Sequence, residues 1–419
     1  MWNLFCRRDI VTMELKCAVQ TYNWGKRGAD SIVATLMKSV NADFAVDEQQ
    51  TYAELWMGTH ENGPSYLKNT ETPLHKCIQE NAETLGGNTV QTFGSNLPFL
   101  FKVLSINRAL SIQVHPDKAK AKELHELQPN VYKDPNYKPE LAIALTDFEA
   151  LCGFRPIDEI KLRLQKLPEL RIVMGRTNVH SLFEADDSMV SDTLRQCFHS
   201  LMTCDSDEVA RQLKCLIDRL RNADLATRSW AEVDLLERLC TDFPGDAGCF
   251  TIYLFNHIRL KPGEAIYIGP NVPHAYLSGD CVECMACSDN VIRAGLTPKL
   301  KDVPTLIQTM SFECVSPSTI QLQPFQENTF TTVFRPPVPE FAVAQITIPP
   351  GQACNLEPRS SASILLIASG EAEMSSKPFP RGSVLFIAAN EKVEIKMSSK
   401  RDTGCDADPL LMFQAFSNI

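Results

Sequence analysis

Gln113 and His115 stand two residues apart in Leu110-Ser111-Ile112-Gln113-Val114-His115-Pro116. In an extended strand that spacing turns both side chains, and Ser111 with them, to one face. An amide oxygen beside an imidazole is half of a metal site. Pro116 has no amide hydrogen and cannot continue a central ladder, so the strand ends there and His115 sits at a rim. The plainer reading is a buried strand with two hydrogen-bonded polar side chains. Lys138 and Glu140 form a second pair on one face, and Glu140 heads the apolar run Leu141-Ala142-Ile143-Ala144-Leu145. A free carboxylate there would be costly, so a cation partner is expected, either Lys138 or a metal. His274 follows Pro273 in a turn that leads into a run dense in functional groups, and a histidine in that position is a usual metal ligand in barrel sites. Gln113, His115, Glu140 and His274 together offer two nitrogens and two oxygens. That set suits four- or five-coordinate zinc with room for water or substrate, and iron, cobalt and manganese accept the same donors. One carboxylate against a dication leaves the site near +1, open to a sugar oxygen.

Arg293 and Lys299 lie six residues apart around Gly295. They could clamp a phosphate, the arginine as a planar fork and the lysine as a point charge, or each could pair with a surface acid. Lys102, alone in the apolar run Leu97 to Ser105, either meets an anion or reaches the surface. Cys281, Cys284 and Cys287 share the spacing of part of an iron–sulfur signature, but the fourth, proline-capped cysteine is absent, so they read as buried or partly buried thiols.

These residues need elements to hold them. From Leu15 to Cys152 the pattern is short extended runs broken by turn residues. Between Arg155 and Thr241 the period changes to 3.6: Asp205 caps a helix in which Val209, Leu213, Leu216, Ile217 and Leu220 follow at helical spacing, and Asp158 to Leu167 and Trp230 to Leu239 read likewise. No polar cluster of a site-like kind appears there, which predicts a helical insertion with a packing role. After Asp246 strands return. Leu260 to Asn271 aligns with Phe379 to Asn390, Gly263 matching Gly382 and Asn271 matching Asn390, as in the repeated turn, glycine, strand, turn of small jelly-roll barrels. In that register His274 falls on Val393, so the second copy lacks the metal-capable side chain.

A chain of 419 residues is too long for one ordinary core. The pattern predicts a mainly β protein of two cupin-type jelly-roll domains with an inserted α-helical domain: an N-terminal extension over 1–12, a catalytic cupin domain over 13–152 and 243–318, the helical insertion over 153–242 and a C-terminal jelly roll over 319–419. With 41 basic and 51 acidic residues the net charge is −10, which gives no general attraction to nucleic acid or an anionic membrane, so an anionic substrate must be captured locally. The odd count of 15 cysteines fits thiols in a reducing compartment, and no secretory signal or apolar run of membrane length is present, so the expectation is a cytoplasmic monomer.

Tyr22-Asn23-Trp24-Gly25, Ala53 to His60, Leu97 to Ser105, Ser111 to Pro116, Lys138 to Leu145 and the long block Asn271 to Lys299 resemble the zinc-dependent type I phosphomannose isomerases. The matches run from about residue 15 to 310, with a looser likeness in the tail. The resemblance implies a cupin catalytic domain with zinc on Gln113, His115, Glu140 and His274. It implies reversible conversion of mannose 6-phosphate to fructose 6-phosphate, the step that supplies activated mannose for glycosylation. Arg293 matches the family's catalytic arginine, and Lys102, Ser111 and Lys299 match substrate or phosphate positions. Tyr137 departs from the histidine that relatives commonly carry there. Moving a carbonyl from C1 to C2 passes through an enediolate, so the site needs a base and a stabiliser of oxyanion charge; Lys138 or Asp289 could carry the proton and Arg293 the charge. An iron-dependent cupin oxygenase and a non-catalytic sugar-phosphate sensor are the rival readings.

Overall fold

The computed structural model describes residues 12–397 and 409–419. All but the last position of the expected N-terminal extension lies outside the described residues. Two large antiparallel sheets carry the described chain, one of ten strands and one of eight, with two smaller ones beside them.

The ten-stranded sheet holds the chemistry. Its main path runs Phe255–Leu260, Phe148–Phe154, His274–Ala286, Phe99–Ile106, Glu54–Met57, Ala18–Gln20. Ile112–Val114 and Glu140–Ala144 also pair with His274–Ala286, and carry Ile292–Gly295 and Ala265–Ile268 on their other sides. His274–Ala286 is 13 residues long. Its first residues pair with Phe148–Phe154 and Ile112–Val114, and those from Gly279 on pair with Phe99–Ile106. The change of partner falls at Gly279, at φ 105°, where an added Cβ would come within 2.4 Å of the Asp147 carbonyl oxygen. Only glycine lets the strand bend there and serve both sides. Phe99–Ile106 and Glu140–Ala144 are buried at every position, which explains why they read as near-continuous apolar runs.

Seven helices, from Ile157–Lys166 to Val233–Asp242, fill the middle of the chain. Asp205 caps Ser206–Arg221 by accepting from the amides of Asp207 and Glu208, as its sequence predicts. Leu164, Phe198, Leu216 and Leu236 pack into one core with Phe154, Phe250 and Phe255, so the helices are continuous with the flank of the sheet. The helix expected from Trp230 starts later, at Val233. Short helices also interrupt the first 150 residues, among them Ile32–Val40, capped by Ser31, and Lys118–Leu127, capped by Asp117. They are too short for helical periodicity to stand out from the strands around them.

The eight-stranded sheet is built mainly from residues after Phe325, but its last two strands are Thr12–Lys16 and Tyr66–Leu67. Thr12–Lys16 pairs with Val384–Ile387, Thr12 opposite Ile387, so the first strand among the described residues joins the far sheet. Ile346, Leu365, Leu385, Ile395 and Met412 fill the space between this sheet and the four-stranded one. The aligned segments adopt matching backbones: Gly263 and Gly382 have φ 87° and 89°, Asn271 and Asn390 have φ 66° and 65°, and Ala265–Ile268 and Val384–Ile387 are the strands between.

Candidate active site

Glu140 stands at the start of its strand, His274 at the start of the strand beside it, and His115 just past Ile112–Val114. Nε2 of His115 lies 3.3 Å from Oε1 of Glu140, and Nε2 of His274 lies 3.3 Å from Oε2. One donor atom from each of the three residues falls within a 4.8 Å span, and all three residues are buried. The tautomers follow from the carbonyls behind the rings. Nδ1 of His115 is 2.7 Å from the Asn290 carbonyl oxygen and Nδ1 of His274 is 3.0 Å from that of Val272. A carbonyl only accepts, so each Nδ1 carries the hydrogen and each Nε2 presents a lone pair. Burial lowers the His115 pKa to about 4 and keeps its ring neutral, leaving no second hydrogen to spend. Lone pairs therefore face carboxylate oxygens, acceptor against acceptor, and the buried Nε2 of His115 has no hydrogen-bond partner. A divalent cation between these atoms satisfies all of them, so the donor set fits a metal.

Burial alone would raise the Glu140 carboxyl, but the Lys138 ammonium, with Nζ 3.3 Å from Oε1, opposes it, and the group is held well below the usual carboxylate range. Gln113 is the cross-strand partner of both His274 and Arg293, which puts the three side chains on one face.

Beside the donors opens a cavity of about 670 Å³, whose lining includes Gln113, Ser111, Lys138, Asp289, Arg293 and Lys299. Ten residues were expected to share a site. Seven of them, these six and Lys102, line the cavity, and the other three, His115, Glu140 and His274, form the donor cluster. Arg293 is half-buried, with its pKa lowered by desolvation, and has no acidic partner among the described residues. Lys102 differs. It is buried with Nζ 3.1 Å from Glu283 and 3.7 Å from Glu54, so its charge is already balanced by protein carboxylates. Burial would lower its pKa, but Glu54 and Glu283 raise it.

Composition and spacing gave no sign of Glu54, Trp56, His60 or Glu283. Glu283 and Trp56 are the cross-strand neighbours of Lys102, so sheet register alone brings them together. His60 Nε2 is 3.3 Å from Oδ1 of Asp289, and Asn62 donates to its Oδ2 at 3.1 Å. The His60 hydrogen bond lowers the Asp289 pKa against the opposing effect of burial. The helical insertion, expected only to pack, also takes part: its last residue, Asp242, and the following Phe243, Pro244 and Asp246 line the cavity. Tyr137, the departure from the family pattern, donates to Glu340 at 2.7 Å and so faces the C-terminal sheet region rather than the donors. Cys281 and Cys284 are buried thiols, and the histidine–glutamate group is the one metal-capable cluster found among the described residues.

A model of the type I phosphomannose isomerase catalytic domain matches residues 12–157, and one of the helical insertion domain of the same family matches 174–255. The mannose-6-phosphate isomerase of Homo sapiens is 43% identical over 422 residues, covering 96% of this chain and 97% of that protein. The chain belongs to the type I phosphomannose isomerase family. The family's Bos taurus mannose-6-phosphate isomerase is 44% identical, with 96% and 97% covered. Among solved structures of the family, the apo form of the Salmonella typhimurium mannose 6-phosphate isomerase has a TM-score of 0.81 at 30% identity, covering 98% of this chain and all of that one. A mannose 6-phosphate isomerase bound with zinc and yttrium has a TM-score of 0.82, again at 30% identity and with 98% of this chain covered.

Proposed function

We propose that the chain is a zinc-dependent isomerase that interconverts mannose 6-phosphate and fructose 6-phosphate through an enediolate, supplying mannose 6-phosphate for GDP-mannose synthesis and glycosylation. The observation that carries this is the buried His115, Glu140 and His274 donor group set beside a cavity through Lys138 and Gln113, with Arg293 and Lys299 in the wall of that cavity. Zinc would be held by these three residues and Gln113, and when bound it supplies Lewis-acid polarisation of the sugar oxygens. Lys138 and Asp289 flank the cavity as the two groups placed to move a proton between C1 and C2. Arg293, uncommitted to any acid, stabilises the charge that develops on the enediolate oxygens. Lys299 and Ser111 receive the phosphate, and Lys102, already neutralised, offers its N–H groups to sugar hydroxyls. An oxygenase has no use for the two free cations.

The two aligned glycine–strand–asparagine units support two cupin-type jelly rolls, the catalytic one over 13–152 and 243–318 and a structural one over 319–419, with the helical insertion over 153–242. No helix among the described residues is long and apolar enough to cross a membrane. A monomer acting in the cytoplasm, a reducing compartment in which cysteine thiols persist, is part of this proposal. A coupled assay for fructose 6-phosphate from mannose 6-phosphate, with and without chelator, tests the reading. Turnover abolished by chelator and restored by zinc is the expected result; no turnover in the zinc-loaded chain, or turnover indifferent to chelator, refutes it.

A further inference from the structure

The turn from Gly295 to Lys299 holds a backbone shape that ordinary side chains resist. Leu296 sits at φ 52°, in the left-handed region, although it carries a branched side chain. Asp246 compensates that cost. Its Oδ1 accepts from the amide of Leu296 at 3.0 Å and from that of Gly248 at 2.7 Å, and its Oδ2 accepts from the amide of Thr297 at 3.4 Å. Lys301 stands 3.6 Å from Oδ2, so the carboxylate is neutralised toward the cavity it lines.

The two segments also meet backbone to backbone. A Cβ added at Gly295 would lie 2.7 Å from the Gly248 Cα and 2.9 Å from Asp246 Oδ1. Thr297 continues the chain of bonds by accepting from the Lys299 amide at 3.1 Å. The turn that presents Lys299, four residues after the end of the strand that carries Arg293, is thus fixed by a residue that enters from the return of the helical insertion.

We propose that Asp246 is a positioning residue for phosphate recognition, its carboxylate pinning the Leu296 and Thr297 amides so that Lys299 and Arg293 form one anion cradle. This rests on reading Lys299 and Arg293 as the cations of the phosphate site. Asp246 does not touch the substrate. It sets where the cations stand, so its loss weakens phosphate binding while leaving the metal and the proton-transfer groups in place.

The test uses the full-length, zinc-loaded chain carrying Asp246→Ala or Asp246→Asn, with inorganic phosphate as a competitive probe beside mannose 6-phosphate. Asp246→Ala is expected to raise KM and the phosphate inhibition constant in parallel by about tenfold or more, with kcat within about threefold of the parent and zinc content unchanged. Asp246→Asn keeps an oxygen for the Leu296 and Gly248 amides but loses the Thr297 acceptor, so it should bring both constants back to about a two- to threefold rise. A folded Asp246→Ala variant whose two constants do not move, or whose kcat falls with KM unchanged, overturns the role. Should Asp246→Ala fail to fold, the Asn variant decides, and no rise in either constant overturns it. Lys299→Met separates the underlying reading: if it leaves phosphate inhibition unchanged, the cradle itself is wrong, whereas a rise there without one in Asp246→Ala removes only Asp246.

Discussion

Nζ of Lys138 and Oε1 of Glu140 stand 3.3 Å apart, and the same oxygen is 3.3 Å from Nε2 of His115. Lys138 therefore touches the donor cluster on one side and lines the cavity on the other. It can report on the metal's charge without being a ligand. Lys138→Met should lower kcat by about 10²–10³-fold, the usual loss of a general acid–base group, while elemental analysis still finds zinc. Near-parental turnover in that variant would remove Lys138 from the reaction.

Lone pairs set against carboxylate oxygens make the apo site a repulsive one. Chelation of the parent should lower its melting temperature, because a metal at about 100 times its Kd contributes about 2.7 kcal/mol. Glu140→Gln withdraws the one carboxylate, so its melting temperature should respond little to chelator or added zinc. Differential scanning calorimetry with and without chelator checks both, and an equal shift in parent and variant would place the metal elsewhere.

Gln113, His115, Glu140 and His274 are legible in the sequence because each pairs a polar side chain with a strand boundary, and period-two alternation gives the shared face directly. Arg293 and Lys299 are legible through one glycine turn. Glu54, Glu283 and His60 are not, since their roles come from which segments lie side by side, and register between strands distant in sequence, such as those of Lys102 and Glu283, leaves no local trace. For the same reason the pairing of Thr12–Lys16 with the far sheet escapes a reading in chain order. In sequence Asp246 marks only a turn after which strands return. The role proposed for it depends on the insertion returning beside the Gly295 turn.

The His60 ring is fixed in one orientation: Nδ1 accepts from the Asn62 amide at 3.3 Å, so the hydrogen sits on Nε2 and is donated to Asp289. That bond depresses the Asp289 pKa and keeps the carboxylate ionised to lower pH. His60→Phe retains the edge-to-face ring contact with Trp56 but withdraws the donor, so the Asp289 pKa rises and the acid limb of the kcat/KM profile should move to higher pH. Zinc content should not change. A profile with an unmoved acid limb would mean that Asp289 ionisation does not limit the reaction.

His257 joins the insertion to the catalytic sheet, with Nδ1 2.8 Å from Glu232 and Nε2 3.5 Å from Glu149. Burial would lower its pKa, but the two carboxylates outweigh burial and raise it, while both carboxylates are held below their usual values. A folded-state pKa above the unfolded value of about 6.5 means that the contribution of His257 is complete below that pH and is lost as pH rises through the folded value. The carboxylates act in the other direction, contributing above about 4.3 and losing their contribution as pH falls through their depressed folded values. The ion cluster is therefore strongest between roughly pH 4.3 and 6.5. His257→Gln should cost about 2 kcal/mol at pH 6, the size of a hydrogen bond to a charged group, and less at pH 9, because the contribution of the imidazolium is lost as pH rises. Urea unfolding at the two pH values measures the difference, and an equal loss at both would show that packing rather than the imidazolium holds the insertion to the sheet.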